Sequence, residues 1–413
     1  MKPITWVPLT LVGLSAAAAG AYLDILAAAA SPTPARAPDA PPTSRLAVLV
    51  PAHNEADYIG RCVESLQAQD YPEHLFRIVV IADNCSDTTA AIAASGGASV
   101  FVRERPDAPG KGQALRWAMD QLMDAPDGPD AIVVIDADTL ADAGMLRALA
   151  GELERGATVV QGEYLALEDD ASVAATLRAV GLLLFHKVRF SGRATLGLPC
   201  SLVGNGMLFS RRVLEEVPWS AFSSVEDLEY TIDLRLAGHD PVYAPNARLW
   251  APLPAGGRAE RVQRLRWEGG RFHVVRTRLP QLVGQIVRGR RWSLLDAAVD
   301  LLVPPLGVLT VIAVAGTGIT AAAVARGAPV WVALPWAAAS VSIPIFVLGG
   351  LASAHAPRAA YRSLALAPAH VASSLLTRLR LFRGFGANTW ERTQRPSDRP
   401  GLHSNSGNGQ SKS

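Results

Sequence analysis

The chain has 413 residues, of which 49% are apolar and 18% are charged, and its formal net charge is +2. This composition excludes disordered and fibrous proteins, and the length suffices for one large domain with added membrane segments. The three cysteines are scattered without C-x-x-C spacing, which disfavours a disulfide framework or a zinc site and predicts reduced core thiols. The net charge itself says little about partners, because the charges are unevenly distributed along the chain. We expect no nucleic-acid partner.

Residues 1–30 are predicted to form a transmembrane anchor. Residues 4–23 are uninterruptedly apolar and match the roughly 20 residues that span a bilayer. A signal peptide is the alternative, because residues 27–30 offer small side chains for cleavage. Five prolines between Pro32 and Pro42 predict an extended linker over residues 31–44.

Residues 45–280 alternate predicted strands with predicted helices. Strands are predicted over residues 46–50, 77–82, 99–103 and 131–135, and helices over residues 57–69, 88–95 and 113–123. This alternation predicts an α/β domain with a mainly parallel sheet and helices on both faces. In such a sheet, ligands bind outside the carboxyl ends of the strands, so the polar residues there are candidate site residues.

Two carboxylates, Asp136 and Asp138, follow the fourth predicted strand. Such a pair can share a hard divalent cation, and that cation can hold phosphate oxygens. The alternative is a solvated turn in which Asp138 caps the helix that begins near Met145.

Polar residues also follow the first two strands. Pro51, Asn54 and Glu55 belong to the sequence PAHNE after the first strand, and Asp83 follows the second. The Asp83 carboxylate can accept hydrogen bonds from a flat ligand edge, although an Asx turn with Asn84 explains the residue equally well.

Four later motifs complete the candidate site. Lys111 lies between two glycines at a predicted helix start, where free N–H groups and an ammonium both favour phosphate. The turn 204–206 has the sequence Gly-Asn-Gly, which suits either close ligand approach or a plain hairpin. Glu226 and Asp227 open a helix, where acidic residues suit the helix dipole and also suit a general base. Further on, Gln263, Arg266 and Trp267 share one helix face, which offers an amide, a guanidinium and an aromatic plane; a basic membrane-facing helix is the alternative.

The C-terminal third is predicted to be a membrane region. Residues 258–291 hold ten arginines against two glutamates, and residues 281–296 are predicted to be a basic interfacial segment. Residues 297–323 and 330–352 are long apolar stretches, which together predict a transmembrane hairpin over residues 297–353. Residues 354–390 are predicted to be interfacial or a third C-terminal membrane segment, and residues 391–413 a disordered tail.

Arginines flank the predicted hairpin on both sides: Arg288, Arg290 and Arg291 precede it, and Arg358, Arg362, Arg378, Arg380 and Arg383 follow it. The positive-inside rule then places both flanks, and the central domain, in the cytoplasm. We therefore expect a multi-pass protein of the inner (plasma) membrane with its N-terminus outside.

Taken in order, these motifs resemble those of the family 2 glycosyltransferases, in particular the membrane-bound branch of cellulose, hyaluronan and poly-N-acetylglucosamine synthases. The resemblance runs from Val48 to about Arg278 and covers PAHNE, Asp83, GKG, DAD, ED and QRLRW. Each motif is weak alone, but the ordered set is specific.

The resemblance implies a GT-A fold and inverting transfer of a sugar from a nucleotide-sugar donor, usually a UDP-sugar, to a β-linked product. It implies the following roles: Pro51, Asn54, Glu55 and Asp83 hold the nucleoside; Asp136 and Asp138 hold Mg²⁺ or Mn²⁺; Lys111 and Arg266 contact the diphosphate; Asp227, with Glu226 beside it, is the base; and Gln263 and Trp267 close over donor and acceptor.

The acceptor and the product stay open from sequence. The leading hypothesis is a glycan acceptor in exopolysaccharide or cell-envelope synthesis, and a partner subunit or oligomer would complete a conduit for a polymer. The alternative is transfer of one sugar to a lipid or polyprenyl-phosphate carrier, which the apolar run 180–185 between basic residues favours if it lies on the membrane. An inactive nucleotide-binding module is disfavoured by the intact carboxylates, and a nucleotidyltransferase by the lack of a glycine-rich run in PAHNE.

Overall fold

The structure, a computed structural model, describes residues 6–31, 41–167, 172–252 and 257–369, and for residues 257–266 the backbone alone. The helices are α1 (Val7–Ala29), α2 (Ile59–Gln67), α3 (Thr89–Ser95), α4 (Lys111–Asp124), α5 (Met145–Glu154), α6 (Val173–Leu183), α7 (Arg189–Thr195), α8 (Arg211–Glu216), α9 (Glu226–Ala237), α10 (Gly257–Val287), α11 (Leu295–Leu302), α12 (Leu306–Ala325), α13 (Leu334–Ser353) and α14 (Arg358–Ser363). The strands are β1 (Leu46–Ala52), β2 (Phe76–Asp83), β3 (Ser99–Arg103), β4 (Ala131–Val134), β5 (Leu140–Ala141), β6 (Val159–Leu167), β7 (Met207–Ser210) and β8 (Val242–Pro252).

The strands form one eight-stranded sheet in the order β3-β2-β1-β4-β7-β6-β8-β5. The first four strands in the sequence are parallel, as predicted. The second half corrects the expected mainly parallel sheet, because β7 runs antiparallel to both β4 and β6, and β5 runs antiparallel to β8. The sheet is therefore mixed. The strand β7 begins at the carboxyl end of β4, where Met207 pairs with Val134, and runs back between β4 and β6. It is therefore antiparallel to both strands and does not follow the βαβ crossovers that join parallel strands.

Two apolar layers cover the sheet, because alternate residues of each strand point to opposite faces. In β1, Val48 and Val50 pack against α2 and α5, whereas Ala47 and Leu49 pack against α4 and the helices after β7. All four side chains are buried. The loops at the carboxyl ends of β1, β2 and β4 are thereby held on a rigid base.

Among the described residues, three helical stretches are long and apolar enough to cross a membrane: Val7–Ala29, Leu306–Ala325 and the stretch Val330–Ser353 that includes α13. They pack together, and the Trp336 indole N–H of α13 donates to the Leu9 carbonyl of α1 at 3.2 Å. The second span begins later than predicted. Its expected first part forms the separate helix α11, because Pro304 and Pro305 interrupt the helix between α11 and α12.

The helical stretch α6–α7 lies against these apolar helices. A π-helical turn, Leu184–Val188, joins α6 to α7. Val180, Leu184 and Val188 are buried in a cluster with α1, α12 and α13. Val180 and Leu184 of the apolar run 180–185 thus contact the candidate spans. Of the predicted C-terminal segments, residues 370–413 lie outside the described residues, as do residues 32–40 of the predicted linker.

A buried charged network also joins the two parts. Arg193 of α7 is 1% exposed and pairs with Asp296 and, at 3.2 Å, with Asp300, both on α11. Arg189 pairs with Asp300 at 2.5 Å, and Arg235 in the last turn of α9 pairs with Asp296 at 3.2 Å. Since removing one partner of a buried pair costs about 3–5 kcal/mol, this network fixes α9 relative to α7 and α11.

Candidate functional site

The PAHNE loop and the loop after β2 are hydrogen-bonded to one another at the carboxyl edge of the sheet. A ring nitrogen of His53 lies 2.8 Å from the Asp83 carbonyl, and the Asn54 side-chain oxygen accepts from the Ser86 N–H at 2.8 Å. The Glu55 N–H donates to the Thr89 hydroxyl at 2.8 Å. The structure thus brings Asn54, Glu55 and Asp83 together, as the sequence suggested.

The Asp83 carboxylate is paired with a residue that the sequence reasoning passed over. Arg103, the last residue of β3, donates to Asp83 Oδ1 at 2.5 Å and to the Ala108 carbonyl at 2.8 Å. Both side chains of the ion pair are buried. Asn84 Nδ2 also donates to Asp83 Oδ1, at 3.0 Å. Arg103 therefore orients Asp83 and ties it to the loop that leads to Lys111.

The turn that carries Asp136 and Asp138 is held by Asn205. The Asp136 N–H donates to Asn205 Oδ1 at 3.1 Å, and Asn205 Nδ2 donates to the Thr139 hydroxyl at 2.7 Å. Asn205 is fully buried. The N-cap residue of helix α5 is Gly144, and the N–H of Leu146 in the first turn donates to Gln69 Oε1 at 3.0 Å, so Asp138 is not the N-cap residue of that helix.

Gly204 and Gly206 let Asn205 reach this position. Both have left-handed backbone angles, with φ of 81° and 68°, which side chains other than glycine rarely adopt. A Cβ on Gly204 would lie 3.3 Å from an Asp227 carboxylate oxygen and 3.5 Å from Lys111 Nζ. The turn 204–206 thus passes directly beside the ionic centre of the site.

Lys111 lies at the middle of this group of charged side chains. Its Nζ lies 2.5 Å from Asp136 Oδ1, 2.6 Å from the Gly204 carbonyl oxygen and 3.9 Å from Glu226 Oε1. Lys111 is the first residue of α4, and Glu226 and Asp227 form the first turn of α9. The side chains that converge here are therefore those of Lys111, Asp136, Glu226 and Asp227, which belong to three separate motifs. Up to 116 positions separate these residues in the sequence.

The protonation of this centre is shifted by burial and by the neighbouring charges. Burial and the adjacent Glu226 carboxylate raise the pKa of Asp227 from 3.8 to about 7. Burial alone would lower the pKa of Lys111. The neighbouring carboxylates of Asp136 and Glu226 raise it by more, so the pKa of Lys111 is raised overall. Lys111 stays charged, whereas Asp227 can exchange a proton near neutral pH.

The carboxylates suit a hard cation shared with a ligand. Within the described residues, no group of three or more His, Cys, Asp or Glu side chains is placed to hold a metal ion. Asp136 and Asp138 nevertheless supply two oxygen donors, which is the number Mg²⁺ commonly takes from protein when phosphates and water complete its shell. The Asp136 side chain is 34% exposed. The two aspartates could therefore hold a divalent ion only together with a ligand such as a diphosphate.

The third group of predicted site residues lies on α10. Gln263 and Arg266 fall in its first part, where the side chains lie outside the description. Trp267 is 51% exposed, and α10 packs against α9 just beyond it through Val274. The structure thus places the helix of QRLRW beside the helix that opens with Glu226 and Asp227.

Residues 41–270 match the family described as Glycosyltransferase like family 2. The match covers more than half of the chain, and the chain therefore belongs to this family. The probable glycosyltransferase YdaM of Bacillus subtilis is 26% identical over 240 residues, which is 56% of each chain. An uncharacterized glycosyltransferase of Mycobacterium tuberculosis is 34% identical over 115 residues, 28% of this chain and 46% of its own length. The chain thus spans about half the length of these relatives.

The fold is also that of a solved glycosyltransferase. The mannosyltransferase PcManGT from Pyrobaculum calidifontis, solved in complex with GDP-Man and Mn²⁺, matches with a TM-score of 0.52 at 16% identity. The match covers 84% of this chain and 96% of that one. The expected GT-A-like α/β fold is confirmed, with the mixed sheet described above.

Proposed function

We propose that this chain is a membrane-embedded, inverting glycosyltransferase that takes a sugar from a nucleotide-sugar donor, a UDP-sugar by the resemblance of its motifs to cellulose and hyaluronan synthases. The observation that carries the proposal is the convergence on Lys111. One ammonium lies between Asp136, at the candidate diphosphate position, and Glu226, beside the candidate base.

The donor would lie along the carboxyl edge of the sheet. Asp83, oriented by Arg103, and the PAHNE residues Pro51, Asn54 and Glu55 would hold the nucleoside. Asp136 and Asp138 would hold Mg²⁺ or Mn²⁺, which supplies positive charge to the departing diphosphate. That charge is needed because the site is rich in carboxylates, which would otherwise repel a diphosphate.

Asp227 would act on the acceptor. A sugar hydroxyl is a weak nucleophile, and a carboxylate with a pKa near 7 can take its proton as the oxygen attacks the anomeric carbon. The bond from that carbon to the diphosphate breaks as the new bond forms, which inverts the configuration. Lys111 and Arg266 would stabilise the departing charge, and Gln263 and Trp267 would close over the donor and acceptor, with Trp267 facing the acceptor sugar.

The product would be a glycan made on the cytoplasmic face of the inner membrane, in exopolysaccharide or cell-envelope synthesis. The three candidate spans support the membrane placement, and α1 packs along α13 as a retained anchor would. A second candidate acceptor is a lipid or polyprenyl-phosphate carrier. It is favoured by the stretch α6–α7, which buries Val180 and Leu184 against the candidate spans and so brings the sheet domain against the bilayer.

The test is the Asp227→Asn variant of the full chain, purified in detergent. We expect sugar transfer to fall by about 10²–10⁴-fold, the usual contribution of a general base, while binding of UDP with Mn²⁺ stays within about threefold. Asp120→Asn is the matched control, because Asp120 forms an exposed ion pair with Arg116 on α4 and should change neither quantity. Transfer at the normal rate by Asp227→Asn would exclude the role of base.

A further inference from the structure

Helix α10 has an apolar face that faces solvent. Phe272, Val283 and Val287 are 69%, 46% and 67% exposed, and their spacings of 11 and 4 residues place them on one side of the helix. Val274, Leu282 and Ile286 of the same helix are instead buried against α9 and α11. Single exposed apolar residues are common, but a row of them along one helix face marks a binding surface.

The row continues towards the candidate membrane span. Trp292 is 66% exposed, and Leu295 and Leu302 of α11 are 51% and 55% exposed. Helix α12, the second candidate span, begins at Leu306, just after this row. We call the set Phe272, Val283, Val287, Trp292, Leu295 and Leu302 the α10–α11 surface.

Positive charge accompanies this apolar surface. Arg276 lies one helical turn from Phe272 on the same face, and Arg288 and Arg290 follow Val287. All three arginines are exposed, and none of them forms an ion pair with another residue in the described ranges. A neighbouring arginine, Arg291, behaves differently, because it donates to the Leu236 carbonyl at the end of α9.

We propose that the α10–α11 surface lies in the plane of the membrane interface and binds anionic phospholipid headgroups. The proposal rests on the membrane embedding proposed above. An apolar row flanked by arginines, with a tryptophan at its edge, is the pattern that inserts into the boundary between headgroups and acyl chains. The direct continuation into α12 selects the bilayer over a protein partner as the occupant, and the arginines select anionic lipid.

This contact would fix the catalytic end of the molecule at the bilayer. Arg278 of α10 pairs with Glu229 at 3.2 Å and with Asp233 at 2.9 Å, both on α9. Helix α9 opens with Glu226 and Asp227. Because α10 is held on α9 on one side and on lipid on the other, the catalytic pair would stay at a set distance from the headgroups, within reach of a membrane-bound acceptor.

The first test uses tryptophan fluorescence of the full chain in nanodiscs that contain phosphatidylcholine with brominated acyl chains. Trp292→Phe should lower the share of fluorescence that the bromines quench, because Trp292 contacts the lipid. Trp117→Phe should leave that share unchanged or raise it, since Trp117 packs on Phe101 in the sheet domain. An equal quenched share in Trp292→Phe and the unchanged chain would overturn the proposal, as would a protein found covering Trp292.

The second test measures the phosphatidylglycerol that stays bound after purification from mixed phosphatidylglycerol and phosphatidylcholine membranes. The variant Arg276→Gln/Arg288→Gln/Arg290→Gln should retain at least about fivefold less, the effect expected even for one arginine at an anionic surface. The control Arg61→Gln/Arg77→Gln/Arg212→Gln removes three exposed arginines from the sheet domain and should retain the normal amount. Equal retention by both variants would overturn the preference for anionic lipid. Neither readout needs sugar transfer, so a failed transferase assay leaves these results interpretable.

Discussion

Replacing Asn205 with alanine tests whether this one side chain holds the turn that carries Asp136 and Asp138. Alanine removes the acceptor of the Asp136 N–H, at 3.1 Å, and the donor to the Thr139 hydroxyl, at 2.7 Å. Each buried polar group left without a partner costs about 1–3 kcal/mol, so the two together amount to about 2–6 kcal/mol. This cost falls on the segment that carries Asp136 and Asp138.

The expected consequence is a loss of metal-dependent donor binding. Groups that orient metal ligands typically contribute about 10–100-fold to affinity, so we expect the Kd of UDP in the presence of Mn²⁺ to rise by that factor. Isothermal titration calorimetry of the detergent-purified chain measures it, and thermal unfolding of the same samples checks that the variant is folded.

Thr139→Val is the matched control for Asn205→Ala. It removes the hydroxyl but keeps the hydrogen bond from the Asp136 N–H to Asn205, so we expect a smaller rise in Kd. Wild-type affinity in a folded Asn205→Ala protein would refute the positioning role. Equal losses in both variants would show that the contact with Thr139, and not the one with Asp136, matters.

Three further predictions concern pH, metal and packing. The rate of transfer should fall as the pH drops through about 7, because protonated Asp227 cannot accept a proton; a pH profile of kcat/KM tests this, and a flat profile down to pH 5 would contradict it. A chelator should abolish transfer and Mn²⁺ should restore it, whereas full activity in excess chelator would argue against the metal. Gly192→Ala should lower the melting temperature, since its Cβ would overlap the Leu26 carbonyl of α1, whereas Gly181→Ala, with open space around it, should not; equal melting temperatures would refute the contact.

Local sequence patterns predicted the first half of the sheet well. Strands β1 to β4 are apolar runs separated by helices, and this alternation favours the parallel pairing that the structure has. The second half was not predictable in this way. Where β7 enters the sheet depends on its pairing with β4 and β6, and these contacts join residues 46 to 79 positions apart that no local pattern relates.

The candidate site was likewise predictable only in part from the sequence. The carboxylates and Lys111 were predicted because each follows a strand or opens a helix. Arg103 and Asn205 were missed as positioning residues because their roles depend on register and on a distant turn. A signal for Arg103 did exist, since it is the last residue of the strand whose parallel neighbour ends at Asp83, and the two residues pair in register.

The most direct test of the central claim is a transfer assay with the full chain in nanodiscs. Radiolabelled UDP-glucose, UDP-N-acetylglucosamine, UDP-galactose and GDP-mannose would each be supplied with Mn²⁺ and membrane extract, and the products sized. We predict that one UDP-sugar is converted to a glycan or glycolipid by the unchanged chain and not by Asp227→Asn. Absence of transfer and of binding for all four donors, with protein shown to be folded, would contradict a nucleotide-sugar site built around Lys111.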